Sequence, residues 1–421
     1  MSLCLTPAIE RISSAVTGRE RSLFADDLAN RHAELVEAVR GSRVLIAGGA
    51  GSIGSATLLE FLDLEPAAVC VIDPNENNLA ELLRTVRSRE AVFCGEFSVA
   101  PLDYGSPLAR RFLAESAAFD WVLSFAALKH VRSERDALSL LRMLEVNLLG
   151  ADNFMAALRE HGHGARGVFT VSTDKAATPV SLMGASKRAL EWLVWAHRAP
   201  GPASVLHGGA APPFQRATTA RFANVAFSDG SLPWGFLQRL AKDQPLALPG
   251  DVRRYLVSPR EAGQLCLVAT LLAPDRTVLI PRLDPSRDLT GFRRVAEATL
   301  HEYGLRPVFY ETEAEARARV LEDRLAGNYP VLVTRSDTSG EKEEEIFVAK
   351  GERAEECGLA AALVVPAPST VPDGLGALLE VIEDACVRGR PVGKTELVAA
   401  LAKVVPDLAH RETGSSLDEK M

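Results

Sequence analysis

The sequence predicts an α/β protein with a doubly wound parallel sheet, and three observations predict it. Apolar strand-like runs alternate with amphipathic helical patterns from Arg43 to Phe227. The first run enters a glycine-rich turn that opens a helix. The second ends on an acid, Asp73. Strand–helix alternation at this pitch builds parallel sheets covered by helices.

Taken in order, residues 1–40 read as a helical arm. Ile9, Ile12, Val16, Leu23, Leu28, Leu35 and Val39 recur at roughly helical spacing among charges, so the arm covers either the main domain or a partner subunit. Residues 41–227 form the dinucleotide-type domain. "RVLIAGGAGSIGSATLLEFL" is strand, turn and helix; "AAVCVID" (67–73) is a second strand and "ENNLAELLRTVRS" (76–88) a helix. A third strand lies in "EAVFCGEFSVAPLDY". "FDWVLSFAAL" (119–128) is a fourth, with a helix across "LSLLRMLEVNLLGADNFMAAL". "RGVFTVST" (166–173) is a fifth and "SLMGASKRALEWLVWAH" a long helix. A Pro/Gly/Ala-rich loop insert (199–214) precedes the sixth strand, "ATTARFANVAF" (217–227).

In 228–350 the alternation weakens to short elements, apart from a charged helix over 312–325; this is the expected substrate-binding region. Residues 351–410 carry two or three further helices, and 411–421 form a polar tail. "RGRPVGKT" (388–395) contains a GKT, but its glycines enclose three residues where a phosphate-binding P-loop needs four, and no strand precedes it. It reads as the start of the last helix.

Composition bounds the function. The chain has 421 residues, 47% hydrophobic and 24% charged; its net charge of -8 and the absence of a basic stripe in the sequence disfavour non-specific nucleic-acid binding. Six cysteines without CxxC spacing read as reduced thiols, and no metal site is expected. No apolar run approaches the roughly 20 residues of a membrane span, and the N-terminus lacks a signal-peptide layout. A cytoplasmic location is expected.

Gly48, Gly51 and Gly54 space a GxxGxxG turn between strand and helix, and Ser52 and Ile53 open that helix. Such a turn brings a pyrophosphate close to the backbone and the helix N-terminus. Asp73 stands where a carboxylate accepts ribose hydroxyls and repels a 2′-phosphate, which favours NAD over NADP. Asp103, after the third strand, stands where an adenine contact is common, and Ala126, within the fourth-strand run, is a further cofactor-side candidate. Thr173, Asp174 and Lys175 place a hydroxyl, a carboxyl and an amine in succession at the end of the fifth strand. Lys187 lies one helical turn after Met183, on the same face.

Together, "GGAGSIGS", "FAALKHV", "VSTDKAATPVSLMGASK", "RFANV" and "SGEKEEEIF" make residues 41 to 347 resemble the nucleotide-diphosphate N-acetylhexosamine 4,6-dehydratases of the extended short-chain dehydrogenase superfamily. The resemblance implies a Rossmann-like fold, NAD as cofactor and a UDP- or GDP-linked N-acetylglucosamine as substrate. It implies C4 oxidation, elimination of water across C5 and C6, and hydride return to C6, in surface-polysaccharide or glycan sugar biosynthesis.

In one branch of that family, mainly large membrane-anchored members, Met replaces the superfamily's Tyr; Met183 matches it, and this chain would be a soluble version. By resemblance Asp174 protonates the departing C6 hydroxyl, Lys175 takes the C5 proton, Thr173 holds the C4 oxygen and Lys187 the nicotinamide ribose. Asp174, Lys187 or a relayed water are all open as acceptors of the C4 hydroxyl proton.

Lys129, His130, Asn224, Arg254, Lys342 and Glu345 match substrate-side positions, with Arg132 where many members carry Pro and Ile346 where a second Glu is usual. A homo-oligomer is expected. The competing readings are an epimerase or 5,6-dehydratase of the same superfamily, and a non-catalytic dinucleotide-binding regulator.

Overall fold

The computed structural model describes residues 7–89, 93–129, 134–198, 214–335 and 345–410. The loop insert at 199–213 and the polar tail at 411–421 lie outside them. The expected strands form as β1 (Arg43–Ala47), β2 (Ala68–Ile72), β3 (Glu96–Ala100), β4 (Trp121–Ser124), β5 (Gly167–Val171) and β6 (Ala217–Ala220). Every residue of β2 and β5 is buried, as in strands covered on both faces. They pair in parallel in the order β6-β5-β4-β1-β2-β3. The chain leaves β1 toward β3 and returns on the other side with β4. That switch point opens a crevice at the strands' C-terminal ends.

The second half of the chain adds β7 (Asn224–Val225), β8 (Leu246–Pro249), β9 (Arg253–Val257), β10 (Thr277–Pro281), β11 (Leu289–Gly291), β12 (Arg306–Tyr310), β13 (Asn328–Thr334) and β14 (Ala362–Pro366). Here the structure differs from the sequence reading. β10 joins the main sheet beside β6, and β14 pairs antiparallel with β10, so the region expected to be helical also supplies an edge strand. The expected single strand over 217–227 breaks after Ala220. Asn224 and Val225 instead pair with β9 in a smaller sheet, β11-β9-β7. A third sheet, β12-β13-β8, completes the substrate-side lobe. The helix expected over 312–325 breaks at Arg319, and a helix at Pro107–Glu115 had not been expected.

Two helical layers cover the main sheet. On one face lie Ser52–Leu62 and Pro259–Leu271. On the other lie the long helix Leu182–Arg198, the stretch Ala137–Glu160 with a π-helical turn at Glu145–Leu149, and the C-terminal pair Leu375–Cys386 and Lys394–Val404. The last helix starts where the GKT was discounted. The arm forms three helices, Pro7–Thr17, Ala25–Asn30 and His32–Val39. Its apolar positions are occupied within the chain. Ile9, Ile12 and Val16 join the substrate-side core, and Leu35 and Val39 the sheet core. Arg19 pairs with Glu261 at 2.8 Å and Asp288 at 3.0 Å, and Asp27 accepts the Ala360 and Ala361 amides.

Candidate functional site

The dinucleotide end is written into one strand–turn–helix. Gly48 has φ 70°, and a Cβ there would lie 2.5 Å from the Ala126 nitrogen, so the turn passes directly against the end of β4. A Cβ on Gly54 would meet the Gly48 oxygen at 2.6 Å. Gly51 differs: its Cβ would meet only the Gly48 oxygen, at 3.6 Å. Protein packing therefore demands Gly48 and Gly54, whereas Gly51 leaves room for a ligand to approach the backbone. No side chain caps the helix that begins at Ser52, and Ile53 follows half-buried in its first turn. The Ser52 hydroxyl accepts the Asp229 amide at 2.9 Å. Asp73 is buried beside the turn, accepting the Asn75 amide at 2.9 Å and the Ala50 amide at 3.3 Å. Burial raises its pKa against those two donors. Asp103 accepts the Gly105 amide at 3.1 Å and meets Arg142 at 3.3 Å. This combination of open backbone, uncapped helix start and ribose-side carboxylate fits a dinucleotide.

The hydroxyl, carboxyl and amine of Thr173, Asp174 and Lys175 are assembled at the C-terminal end of β5. Thr173 caps a single 3-10 turn, Asp174–Ala176. Asp174 is buried and its Oδ1 accepts both the Thr173 hydroxyl, at 2.8 Å, and the Lys175 ammonium, at 3.2 Å. The Asp174 amide donates to the Phe222 carbonyl at 3.3 Å, which ties this turn to the segment leading into β7. Two residues on, the Asn224 side chain donates to Glu345 Oε1, while the Tyr255 amide on the paired strand β9 donates to Glu345 Oε2 at 2.7 Å. Burial and the negative charge of Asp174 push the Glu345 carboxyl up to about 7, against the Tyr255 amide, Lys175 and Arg254. The structure thus brings Asn224, Arg254 and Glu345 to the Thr173–Asp174–Lys175 turn.

Lys187 is buried in the long helix and donates to the Val171 carbonyl at 3.1 Å. Burial pushes its ammonium down to about 7; Glu191 opposes the shift and Lys129 adds to it. Met183 is also buried, and its amide donates to Glu134 at 2.9 Å. His130 and Lys342 lie outside the described residues, as does Arg132.

Several organising residues were not singled out from the sequence. Asn147, in the π-helical turn, pairs with both main-chain groups of Leu128 (2.8 and 3.0 Å) and donates to the Ser186 hydroxyl at 3.0 Å. It locks the end of β4 to the residue before Lys187. Glu191 accepts from Ser172 at 2.6 Å, from Arg188 at 2.9 Å and from Arg221 at 2.8 and 2.9 Å. Arg221, fully buried, also meets Glu352 at 2.6 and 3.0 Å and the Phe347 carbonyl at 2.7 Å. Burial works against the Arg221 charge, yet Glu191 and Glu352 raise its pKa overall. Burial likewise works against Glu352, and Arg221 and Arg188 carry it down to about 2. A signal was present: an arginine inside the apolar run "ATTARFANV" needs a buried partner.

Fold and site together define a Rossmann-like protein of the extended short-chain dehydrogenase type. A family model described as polysaccharide biosynthesis protein matches residues 44–318, and the chain belongs to that family. It is 29% identical over 265 residues to an uncharacterized membrane protein of Methanocaldococcus jannaschii, covering 63% of this chain and 73% of that one. It is 25% identical over 284 residues to the probable polysaccharide biosynthesis protein EpsC of Bacillus subtilis, covering 64% of this chain but only 43% of the longer relative. It is 25% identical over 254 residues to an inverting UDP-N-acetylglucosamine 4,6-dehydratase of Campylobacter jejuni, covering 60% and 70%. Among solved structures, Pen from Bacillus thuringiensis superposes with a TM-score of 0.60 at 21% identity, covering 78% and 89%. Among the described residues no helix is long and apolar enough to cross a membrane.

Proposed function

We propose that this protein is a cytoplasmic, NAD-dependent 4,6-dehydratase of a UDP- or GDP-linked N-acetylglucosamine, serving surface-polysaccharide or glycan biosynthesis. The carrying observation is the Thr173–Asp174–Lys175 turn, which sets an acid and an amine 3.2 Å apart at the end of β5. An elimination needs a proton delivered to a leaving hydroxyl and another removed from the adjacent carbon, and this pair supplies both groups. Gly48, Gly51, Ser52, Ile53, Gly54, Asp73, Asp103, Ala126 and Lys187 would hold the dinucleotide. NAD, when bound, supplies the hydride acceptor that makes C4 a ketone and acidifies C5–H. Lys175 then takes the C5 proton and Asp174 protonates the C6 hydroxyl as it leaves. Thr173 holds the C4 oxygen. Arg254 and Asn224 would contact the nucleotide diphosphate, and Lys129, His130, Lys342 and Glu345 complete the substrate-side set.

Incubation with UDP- and GDP-N-acetylglucosamine in deuterated water, followed by mass and NMR, tests this. Loss of water with deuterium at C5 is expected. A product of unchanged mass would identify an epimerase, and no product from protein that binds NAD would identify a regulator.

A further inference from the structure

The superfamily's proton-accepting Tyr has no counterpart at Met183, and the oxidation at C4 still has to lose a hydroxyl proton. We propose that Glu345 is the base that takes it. The proposal rests on the dehydratase reading above and names a residue that nothing in the 171–188 segment reveals.

The geometry carries it. Glu345 is held from both sides, Oε1 by the Asn224 side chain and Oε2 by the Tyr255 amide. Both holders belong to the β7–β9 ladder, and the residue two before Asn224 anchors the Asp174 amide. Each carboxylate oxygen keeps a lone pair beyond the one so engaged. Asp174, Lys175 and Arg254 are the charged groups that act on it.

The other candidates are less suited. Asp174 Oδ1 already accepts from Thr173 and Lys175, and its acid role belongs to the C6 hydroxyl. Lys187 is fully buried against the Val171 carbonyl, where gaining a charge is opposed by desolvation. For Glu345 the same forces run the other way. A proton there removes a buried charge and relieves repulsion from Asp174, so the group is a ready acceptor near neutral pH. In the step, the C4 O–H bond breaks and its proton passes to a Glu345 oxygen. The pair left on oxygen forms the C4 carbonyl as the C4–H pair departs as hydride to the oxidised dinucleotide.

The test uses Glu345→Gln, which keeps the side chain's size. Turnover of the nucleotide sugar should fall by about 10²–10⁴-fold, the usual contribution of a positioned base. The near-neutral limb of kcat/KM should vanish. Deuterium wash-in at C5 of the 4-keto-6-deoxy nucleotide sugar, which needs Lys175 but no C4 proton transfer, should persist. Without any ligand, the fall in thermal stability of the wild type between pH 4.5 and about 7 should flatten.

Wild-type turnover in the variant overturns the assignment. So does joint loss of turnover, exchange and thermal stability, which marks a structural role. Should the variant not fold, Glu345→Asp must slow oxidation and move the limb while sparing exchange; an unmoved limb overturns it. Wild-type protein that neither converts a UDP- or GDP-linked N-acetylhexosamine nor exchanges C5 refutes the dehydratase reading itself.

Discussion

Two charge clusters, one reached from Lys187 and the other from Glu191 one turn further along the long helix, behave oppositely. Around Glu191, each acid faces a guanidinium: Arg221 and Arg188 hold Glu191 and Glu352, and both acids are driven below their usual range. In the other, the charge of Asp174 acts on Glu345, and the buried Lys187 ammonium donates to the Val171 carbonyl. Glu345 rises to about 7 and Lys187 falls to about 7. Lys187 and Glu191 are both buried; their pairing differs. The matched cluster fixes charges in place and holds β5, β6 and the 347–352 segment together. The mismatched cluster keeps protons exchangeable near neutral pH, which is the property proton transfer needs.

The comparison can be broken from either side. The largest effect should come from Lys175→Ala in the mismatched cluster. Turnover should fall by about 10²–10⁴-fold, with dinucleotide affinity retained and C5 exchange lost; retained turnover would remove Lys175 from the elimination. Arg221→Met should act on stability instead. It leaves Glu191 and Glu352 buried without their main counter-ion, a change that costs about 3–5 kcal/mol, read as a lowered denaturation midpoint. Adding Glu191→Leu should recover part of that loss, because an apolar pair avoids the desolvation cost of an orphaned carboxylate.

The two ends of the site were unequally legible in the sequence. The dinucleotide turn lies within one β–α–β unit, residues 43–73, so spacing alone carries it. Thr173–Asp174–Lys175 was legible for the same reason, being contiguous. The Glu345 contact to Asn224 spans 121 residues and the Arg221–Glu352 pair 131, distances that only the folded β-ladders close. β14 was not singled out within 351–410, because "ALVVP" is a short apolar run where periodicity cannot separate strand from helix. The free edge of β10 decided it. The missed helix at Pro107–Glu115 did announce itself, through Ser106 as N-cap and Pro107 at the first position.

The pH dependence of stability separates the clusters more finely. Glu345, raised from 4.5 to about 7, binds a proton more tightly when folded, so between those values stability falls as pH rises. Lys187, lowered from 10.5 to about 7, binds its proton more tightly when unfolded, so stability rises from about 7 toward 10.5. Together they give a shallow minimum near neutral pH, with a limiting slope of about 1.4 kcal/mol per pH unit for each proton. Lys187→Met should remove the alkaline rise, and a profile unchanged by it would mean that the ammonium is not desolvated in solution. Glu352, depressed to about 2, has the opposite sense to Glu345: its contribution is complete above 4.5 and is lost only as pH falls toward 2.

The smallest expected effect tests whether the clusters are insulated. Ser172 sits next to Thr173 but donates to Glu191 at 2.6 Å, so it belongs to the matched side. Ser172→Ala removes one donor while the guanidiniums remain, and should cost about 1–2 kcal/mol. If pairing alone separates the two clusters, the neutral-pH minimum and the kcat/KM limb stay where they are. Glu191 already opposes the downward shift of Lys187; a shift of either limb would mean that this coupling depends on the single Ser172 donor.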